Sequence, residues 1–518
     1  MPMRLLIRVD GSPRMGGGHV MRCLTLAEAA RGRGHAVQFV TVAAPEGDMV
    51  PRIRAAGFAA TALAPCDSWP TDPEAPPHRH FLSLPWEDDA LLTAEAVLAM
   101  APDWLVWDHY GLDARWVNRV RAAGPTTMRV MAIDDLDDRP LGSDLVLDQT
   151  RLPPVTYRYP ALAALTGPSY ALLRPEFAER RTAALARRGG PVRHVLVAPG
   201  MADAAGLAPL ALQALAAFPD LTAEVVMGAA SQSAAEVAVL AAHDPRVTLT
   251  LDATDMAARM AAADLCIGAG GMTTWERCCL GLPTVAVAVA DNQRGTLDAL
   301  ATAGAAVTLG LDDARQPGRM AAAVAAAAAQ AGQIAARAAA LADGLGAARV
   351  IDVLEGRLRP VTEADAETLF QWRNRPAIRA MSLTQDPLDW ATHVDWLARA
   401  ATRDDGLWCI YAEGGRDLGH VNARREGKTW HWGFYIGAED APKGAGRRML
   451  AAFLRALLAR DDFEVLTAVV KPGNAASEAL HRGFGFRPAA SETPELLAFT
   501  LSRCELAQRY AFACMIEG

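Results

Sequence analysis

Three glycines stand directly before a histidine in GGGHVMRC, residues 16–23. The run lies between an apolar strand pattern, RLLIRVD, and a helix pattern covering residues 19–32. A turn so tight brings backbone close to a ligand, and it opens onto a helix N-terminus that favours anions. Two nucleotide-binding readings do not fit it. A dinucleotide fold wants a carboxylate at the end of the next strand, but that strand ends QFVTV. A P-loop wants lysine after its last glycine, and none follows Gly16, Gly17 or Gly18. What is left is an imidazole, His19, beside a site for phosphate or sugar. The helix dipole there favours the neutral ring that a general base needs. A histidine that simply caps its own helix would sit at the same place.

Further polar groups fall at the ends of apolar runs: Asp10 after RLLIRV, Asp108, His109 and Tyr110 in VWDHYG, and Asp134 and Asp135 in IDDLDDR. Carboxyl ends of parallel strands are where such folds bind ligands, although aspartates there also cap the helices that follow. A second glycine turn, CIGAGGMTTWERCC, precedes a helix expected from about Met272. Its Gly268, Gly270 and Gly271 would let backbone N–H groups reach phosphate oxygens, and Thr273 and Thr274 would add hydroxyl donors. Glu276, one turn on, can accept two ribose hydroxyls. Asn292 and Gln293, at the next strand end, are candidates for sugar or pyrophosphate contact. A third glycine loop, APKGAGRRML, places Lys443, Gly444, Ala445, Gly446, Arg447 and Arg448 at a helix start, with backbone amides and cations for another pyrophosphate.

The elements that must position these groups come in three blocks. Residues 3–170 alternate apolar runs and helix patterns, which implies a parallel sheet with helices on both faces. FAERRTAALARRGG, 177–190, reads as a connecting helix or linker. The rhythm restarts with RHVLVAPG, LTAEVVMG, RVTLTLDA, DLCIGAGG, LPTVAVAVA and AAVTLG, a second doubly wound sheet closed by one alanine-rich helix over 318–345. After Glu355 aromatic residues become dense, and LWCIYAEGGRDLGHVNARREGKTWHWGFYI reads as antiparallel strands. The expected domains are 1–176, 190–346 and an α+β unit at 356–518. The first two face each other across a cleft.

Composition narrows the classes. The chain has 518 residues and a net charge of −8, which argues against a nucleic-acid backbone as partner. No apolar run reaches the length of a membrane span, and MPMRLLIRVD lacks a signal-peptide layout. The eight cysteines show neither CxxC nor zinc spacing, so a cytoplasmic protein with reduced thiols and no metal is expected.

Taken in order, GGGHVMRCLTLA, VWDHYGLDARW, AIDDLDDR, DLVLDQT, GPSYALLRPEF and GAGGMTTWERCCLGLPTVAVAVADNQ resemble the nucleotide-sugar hydrolase family of pseudaminic acid biosynthesis over roughly residues 3–345. The resemblance implies a glycosyltransferase-B-like fold and removal of UDP from UDP-2,4-diacetamido-2,4,6-trideoxy-β-L-altropyranose. The catalytic histidine of that family's G-x-G-H-x-x-R motif falls on His19, with Gly18 before it, and its arginine on Arg22. APGMADAAG departs from the family's GG-S/T-D-P.

The loop at 441–446, Asn474 and the pair Gly485–Phe486 resemble GNAT acetyltransferases over about 357–500, with Ala441 a departure from the motif's first position. The resemblance extends to the acetyltransferase of the same pathway, which implies acetyl-CoA as co-substrate and a UDP-4-amino sugar as acceptor. The implied acetyl-CoA contacts are Lys443, Gly444, Ala445, Gly446, Arg447 and Asn474. A tyrosine that protonates the CoA thiolate in such enzymes falls on His481, with Tyr435 an alternative. The alternatives for the first two domains are a sugar transferase and a non-catalytic UDP-sugar-binding module. A base at His19 argues against the second.

Overall fold

The computed structural model describes the chain except residues 1, 12–14, 16, 45–47, 67–77, 126–127, 153–154, 160, 162, 414–415, 461, 492 and 511–518. Gly16 lies outside the described residues, and so does the side chain of Asn292.

Strands β1 (Arg4–Val9), β2 (Ala36–Val42), β3 (Ala59–Leu63), β4 (Trp104–Asp108), β5 (Arg129–Ile133), β6 (Leu145–Asp148) and β7 (Ala163–Thr166) form one parallel sheet in the order β3-β2-β1-β4-β5-β6-β7. The central strands β1 and β4 are buried almost end to end. Continuous apolar runs are what a sheet covered on both faces requires. The helix Gly18–Gly32 buries Val20, Cys23, Leu24, Ala27 and Ala30 on one stripe, which presses it to the sheet and fixes which way His19 faces.

A second parallel sheet contains β8 (His194–Gly200), β9 (Thr222–Met227), β10 (Val247–Leu251), β11 (Leu265–Ala269), β12 (Thr284–Ala288) and β13 (Val307–Gly310), ordered β10-β9-β8-β11-β12-β13. All six correspond to apolar runs read from the sequence. The connecting segment before it is the helix Pro175–Ala186. The single alanine-rich helix expected over 318–345 is instead two, Pro317–Ala329 and Ala331–Leu341, broken at Gln330. The break lets Ala338 join Cys278 and Cys279 in the core. A further helix, Gly346–Leu354, returns to the first sheet. Val350, Ile351 and Leu354 pack in the core that holds Cys23 and Leu24. Leu354 O accepts from Trp104 Nε1 at 2.9 Å, and Arg33 pairs with Asp352 at 2.6 Å. The helix bearing His19 is thus clamped from behind.

The third sheet runs β14 (Arg357–Pro360), β15 (Gly406–Glu413), β16 (Arg416–Glu426), β17 (Thr429–Ile436), β18 (Val465–Val470), β20 (Leu497–Ser502) and β19 (Arg487–Ala489) in that spatial order. It is antiparallel except at β17–β18, which pair in parallel over Thr429–His431 and Val465–Thr467. Beyond that point β17 stays on β16 as far as Ile436, while β18 stays on β20 as far as Val470. The two strands therefore diverge into a wedge. The helix Ala445–Leu458 packs under this sheet and also against the first domain: Arg455 donates to Asp144 Oδ1 at 2.5 Å, and one core runs through both units. A final helix, Arg503–Tyr510, had no signal in the sequence reading.

Candidate functional site

His19 does not cap its own helix. No side-chain cap bond is present at that N-terminus, and the imidazole turns to the end of β4 instead, with Nδ1 2.6 Å from Asp108 Oδ1. Arg22, one turn on, grips the same carboxylate through Nε and Nη2, both at 2.6 Å. Arg22 Nη2 also lies 3.1 Å from His19 Nδ1, but the shorter charge-assisted contact assigns the Nδ1 proton to Asp108. Nε2 is then the basic nitrogen. Burial alone would raise the Asp108 carboxyl. Arg22 and His19 outweigh it and hold the group well below the usual carboxylate range. The Tyr110 ring meets His19 edge-on at 4.9 Å, and its hydroxyl donates to Asp135 Oδ1 at 2.8 Å. Burial, together with Asp135, raises that phenol and keeps it protonated.

Two residues expected at the ligand belong elsewhere. Asp10, 5% exposed, accepts from Arg8 at 2.5 and 2.8 Å and from the Val42 N–H at 2.8 Å. Arg8 also pairs with Asp89. His109, 1% exposed, accepts the Gly111 N–H on Nδ1 at 3.0 Å, which puts its proton on Nε2, 3.4 Å from Asp10. Both hold the strand ends together behind the cleft. Sequence alone ranks every strand-end aspartate alike, because the helix or strand that each carboxylate meets is set by the packing.

The second glycine turn closes on this cluster from the opposite sheet. Met272 Sδ is 3.9 Å from Arg22 Nη1 and 3.4 Å from Gln149 Nε2. Arg174 lies 3.8 Å from Glu276. Gln149 and Arg174 were not singled out in the sequence, although both fall within motifs quoted above. The helix after the turn is only Thr273–Cys279, so the turn's own N–H groups matter more than a helix dipole. A Cβ at Gly270 would stand 2.2 Å from Leu297 Cδ1, so a side chain there requires Leu297 to move. Gly268 makes room for a side chain, not for phosphate: a Cβ there would stand 2.4 Å from Arg277 Nη1. At Gly271 a Cβ would meet only Gln293 Nε2, at 4.0 Å. Gln293 spends its Oε1 on the Val289 N–H at 3.1 Å, which leaves its Nε2 end beside Gly271. Burial pushes the Glu276 carboxyl up to about 7, against the pull of Arg174 and Arg277.

In the third domain Gly444 takes the left-handed conformation, φ 84°, that lets the loop turn into the helix, and Ala445 starts that helix. Gly446 faces Ile436 on β17. Lys443 is exposed beside it. Arg448 does not face a ligand. It is buried, bonded to Glu413 at 2.9 and 2.7 Å, and it holds the Lys443 carbonyl at 3.1 Å. Arg447 likewise turns aside, over the Phe484 ring and toward Ala161 O at 3.5 Å. Asn474 is the N-cap of the helix Ala475–Phe484 and accepts the Ser477 N–H at 3.2 Å.

His481 corrects an expectation. It is 2% exposed and lodged among Trp432, Phe434, Phe486 and Phe499. Nδ1 donates to Ser477 O at 2.7 Å, and Nε2 accepts from Trp432 Nε1 at 3.1 Å. Burial lowers its pKa below the ordinary value, with Ser477 O pulling the other way. A ring with both nitrogens occupied and no second proton has none to give. Tyr435, on the opposite face of β17, is half-buried, and burial raises its pKa, so it keeps its proton at neutral pH.

Among the described residues no three His, Cys, Asp or Glu side chains converge as a metal site, and no helix is long and apolar enough to cross a membrane. The described cysteines are free.

Residues 357–487 match the acetyltransferase (GNAT) domain family, so the third unit is a GNAT acetyltransferase domain. The two preceding sheets have the fold of glycosyltransferase-B proteins. MurG of Acinetobacter baumannii superposes with a TM-score of 0.51 at 16% identity, covering 68% of this chain and 99% of that one. The spore coat polysaccharide biosynthesis protein SpsG of Bacillus subtilis is 32% identical over 150 residues. That match spans 28% of this chain and 44% of the relative. An uncharacterised protein of Methanocaldococcus jannaschii is 23% identical over 480 residues, 84% of this chain and 88% of its own length.

Proposed function

We propose that the chain carries two consecutive reactions on a UDP-linked amino sugar of pseudaminic acid biosynthesis. The GNAT domain acetylates the 4-amine of UDP-4-amino-4,6-dideoxy-N-acetyl-β-L-altrosamine. The amine lone pair attacks the acetyl carbonyl of acetyl-CoA, the C–S bond breaks, and the thiolate takes a proton from Tyr435. The amine gives up its proton to water, and the Tyr435 phenolate regains one from solvent. The wedge between β17 and β18 leaves backbone groups on facing strand edges for the pantetheine arm, and the loop at Gly444 meets the pyrophosphate.

The paired sheets then hydrolyse the product. His19 Nε2 takes a proton from water, the oxygen attacks the anomeric carbon, and the C–O bond to the diphosphate breaks. UDP leaves with the bonding electrons, and the free 2,4-diacetamido sugar is released. Asp108 keeps the imidazole oriented and stabilises its protonated form, a role that a buried carboxylate fills beside catalytic histidines. Arg22 and Tyr110 contact the sugar phosphate and sugar. Glu276 holds the ribose, and Gly270, Gly271 and Met272 with Thr273 and Thr274 surround the diphosphate. The observation that supports this reading is the His19–Asp108 contact at 2.6 Å with Met272 of the facing turn resting on Arg22, which brings His19 and the second glycine turn together.

Hydrolysis in ¹⁸O-labelled water tests it. Label in the sugar, with none in UDP, is expected. Label in UDP, or transfer of the sugar to an added acceptor without free sugar, would overturn it.

A further inference from the structure

Arg277 stands directly behind the second glycine turn and is 1% exposed. Its Nη2 donates to Ala269 O at 2.8 Å and to Thr274 Oγ1 at 3.0 Å, and its Nη1 donates to Thr273 Oγ1 at 3.3 Å. Its Nε is enclosed without a hydrogen-bond partner. The absence of a side chain at Gly268 is what admits the guanidinium, since a Cβ would stand 2.4 Å from Nη1. A buried arginine is ordinarily matched by a carboxylate that bonds it. Here its bonds go to a carbonyl, two hydroxyls and the Cys266 thiol, while the Glu276 carboxyl feels its charge without bonding it.

Those bonds have a consequence for the two threonines. A hydroxyl has one proton and accepts through its oxygen. With Arg277 filling an acceptor position on each oxygen from behind, the O–H protons of Thr273 and Thr274 are left to point elsewhere; Thr273 is partly exposed, whereas Thr274 is buried. A cation that polarises two donors is matched to an anion on the far side of the turn.

We infer that Arg277 is a positioning residue for the diphosphate of the nucleotide: it fixes the Thr273 hydroxyl as a donor into the turn, with Thr274 buttressed behind it, and places there a positive charge that no carboxylate hydrogen-bonds. The inference rests on the reading of this turn as the UDP site. It assigns Arg277 to the phosphates and not to the uridine, which sits toward Glu276.

Calorimetry with UDP and with uridine on the full chain tests it. For R277K, UDP affinity is expected to fall at least tenfold while uridine affinity stays within twofold. R277K keeps the charge but not the forked donors, so R277Q should weaken UDP further. The double variant T273V/T274V, which leaves Arg277 in place, should reproduce the UDP-selective loss and covers the case in which the arginine variants do not fold. Equal losses for UDP and uridine would make Arg277 a purely structural cross-link and overturn the inference, as would unchanged UDP affinity. A wild-type chain that binds neither ligand would reject the nucleotide reading itself.

Discussion

His19 and Asp108 are separated by 89 residues, yet Nδ1 and Oδ1 stand 2.6 Å apart. The contact joins the first turn of one helix to the end of the neighbouring strand, and the Gly346–Leu354 helix behind holds that geometry. His19→Asn should fold and bind UDP but lose roughly 10²–10⁴-fold in hydrolysis, the span of general base catalysis. Turnover within a factor of a few of wild type would remove His19 from the chemistry.

Glu276 gives a signed pH prediction. Its folded value of about 7 lies above the ordinary 4.5, so the folded state holds a proton that the unfolded state has lost between those values. Stability should therefore fall as pH rises from about 4.5 to 7, by at most about 3 kcal/mol at 1.36 kcal/mol per unit. Glu276→Gln should flatten this slope and be the more stable protein at pH 8, measured by denaturant unfolding, while binding UDP more weakly. A slope unaltered by the substitution would show that another group sets it.

His481→Phe should preserve the acetyl-transfer rate. It strands the Trp432 N–H and the Ser477 carbonyl, so a stability loss of about 1–3 kcal/mol is expected. Tyr435→Phe should do the reverse, keeping the melting temperature and lowering acetyl transfer by roughly 10² or more. A rate loss in the histidine variant at unchanged stability would restore His481 as the acid.

Asp144 joins the acetyltransferase domain to the first sheet. Its carboxylate meets Arg455 at 2.5 Å and Arg121 at 2.9 Å, and these cations outweigh the effect of burial to depress its pKa. Asp144→Asn should cost roughly 3 kcal/mol, because breaking a buried pair strands its cations. Calorimetric unfolding should show the loss in the transition shared by both units. A change confined to a separate acetyltransferase transition would show that the domains unfold independently.

The strands of both parallel sheets were largely legible, because doubly buried strands are long apolar runs. β3, AATAL and half-exposed, gives no such run, nor does β7, AALT. The helix break at Gln330 was hidden because alanine favours helix on either side of it. At the site, His19 and the glycine turns were legible as local patterns. The distinction between Asp108, which serves His19, and Asp10, which serves Arg8, was not, since it depends on which strand end faces which helix. Arg448 and Arg447 misled for the same reason: a cation beside a glycine loop reads as a phosphate ligand until Glu413 and Phe484 are found beneath it. His481 matched a tyrosine's place in the resembled motif, but only packing shows that Trp432 and Ser477 already hold both of its nitrogens.

On the proposed reading, one chain acetylates a UDP-linked amino sugar and then releases the free sugar. Incubating the full protein with acetyl-CoA and UDP-4-amino-4,6-dideoxy-N-acetyl-β-L-altrosamine, and following the mixture by NMR, tests it most directly. The expected course is loss of acetyl-CoA, transient UDP-linked diacetamido sugar, then UDP and the free 2,4-diacetamido-2,4,6-trideoxy sugar in equal amounts. An acetylated UDP-sugar that accumulates without release of UDP, or a 4-amine that is never acetylated, would contradict it.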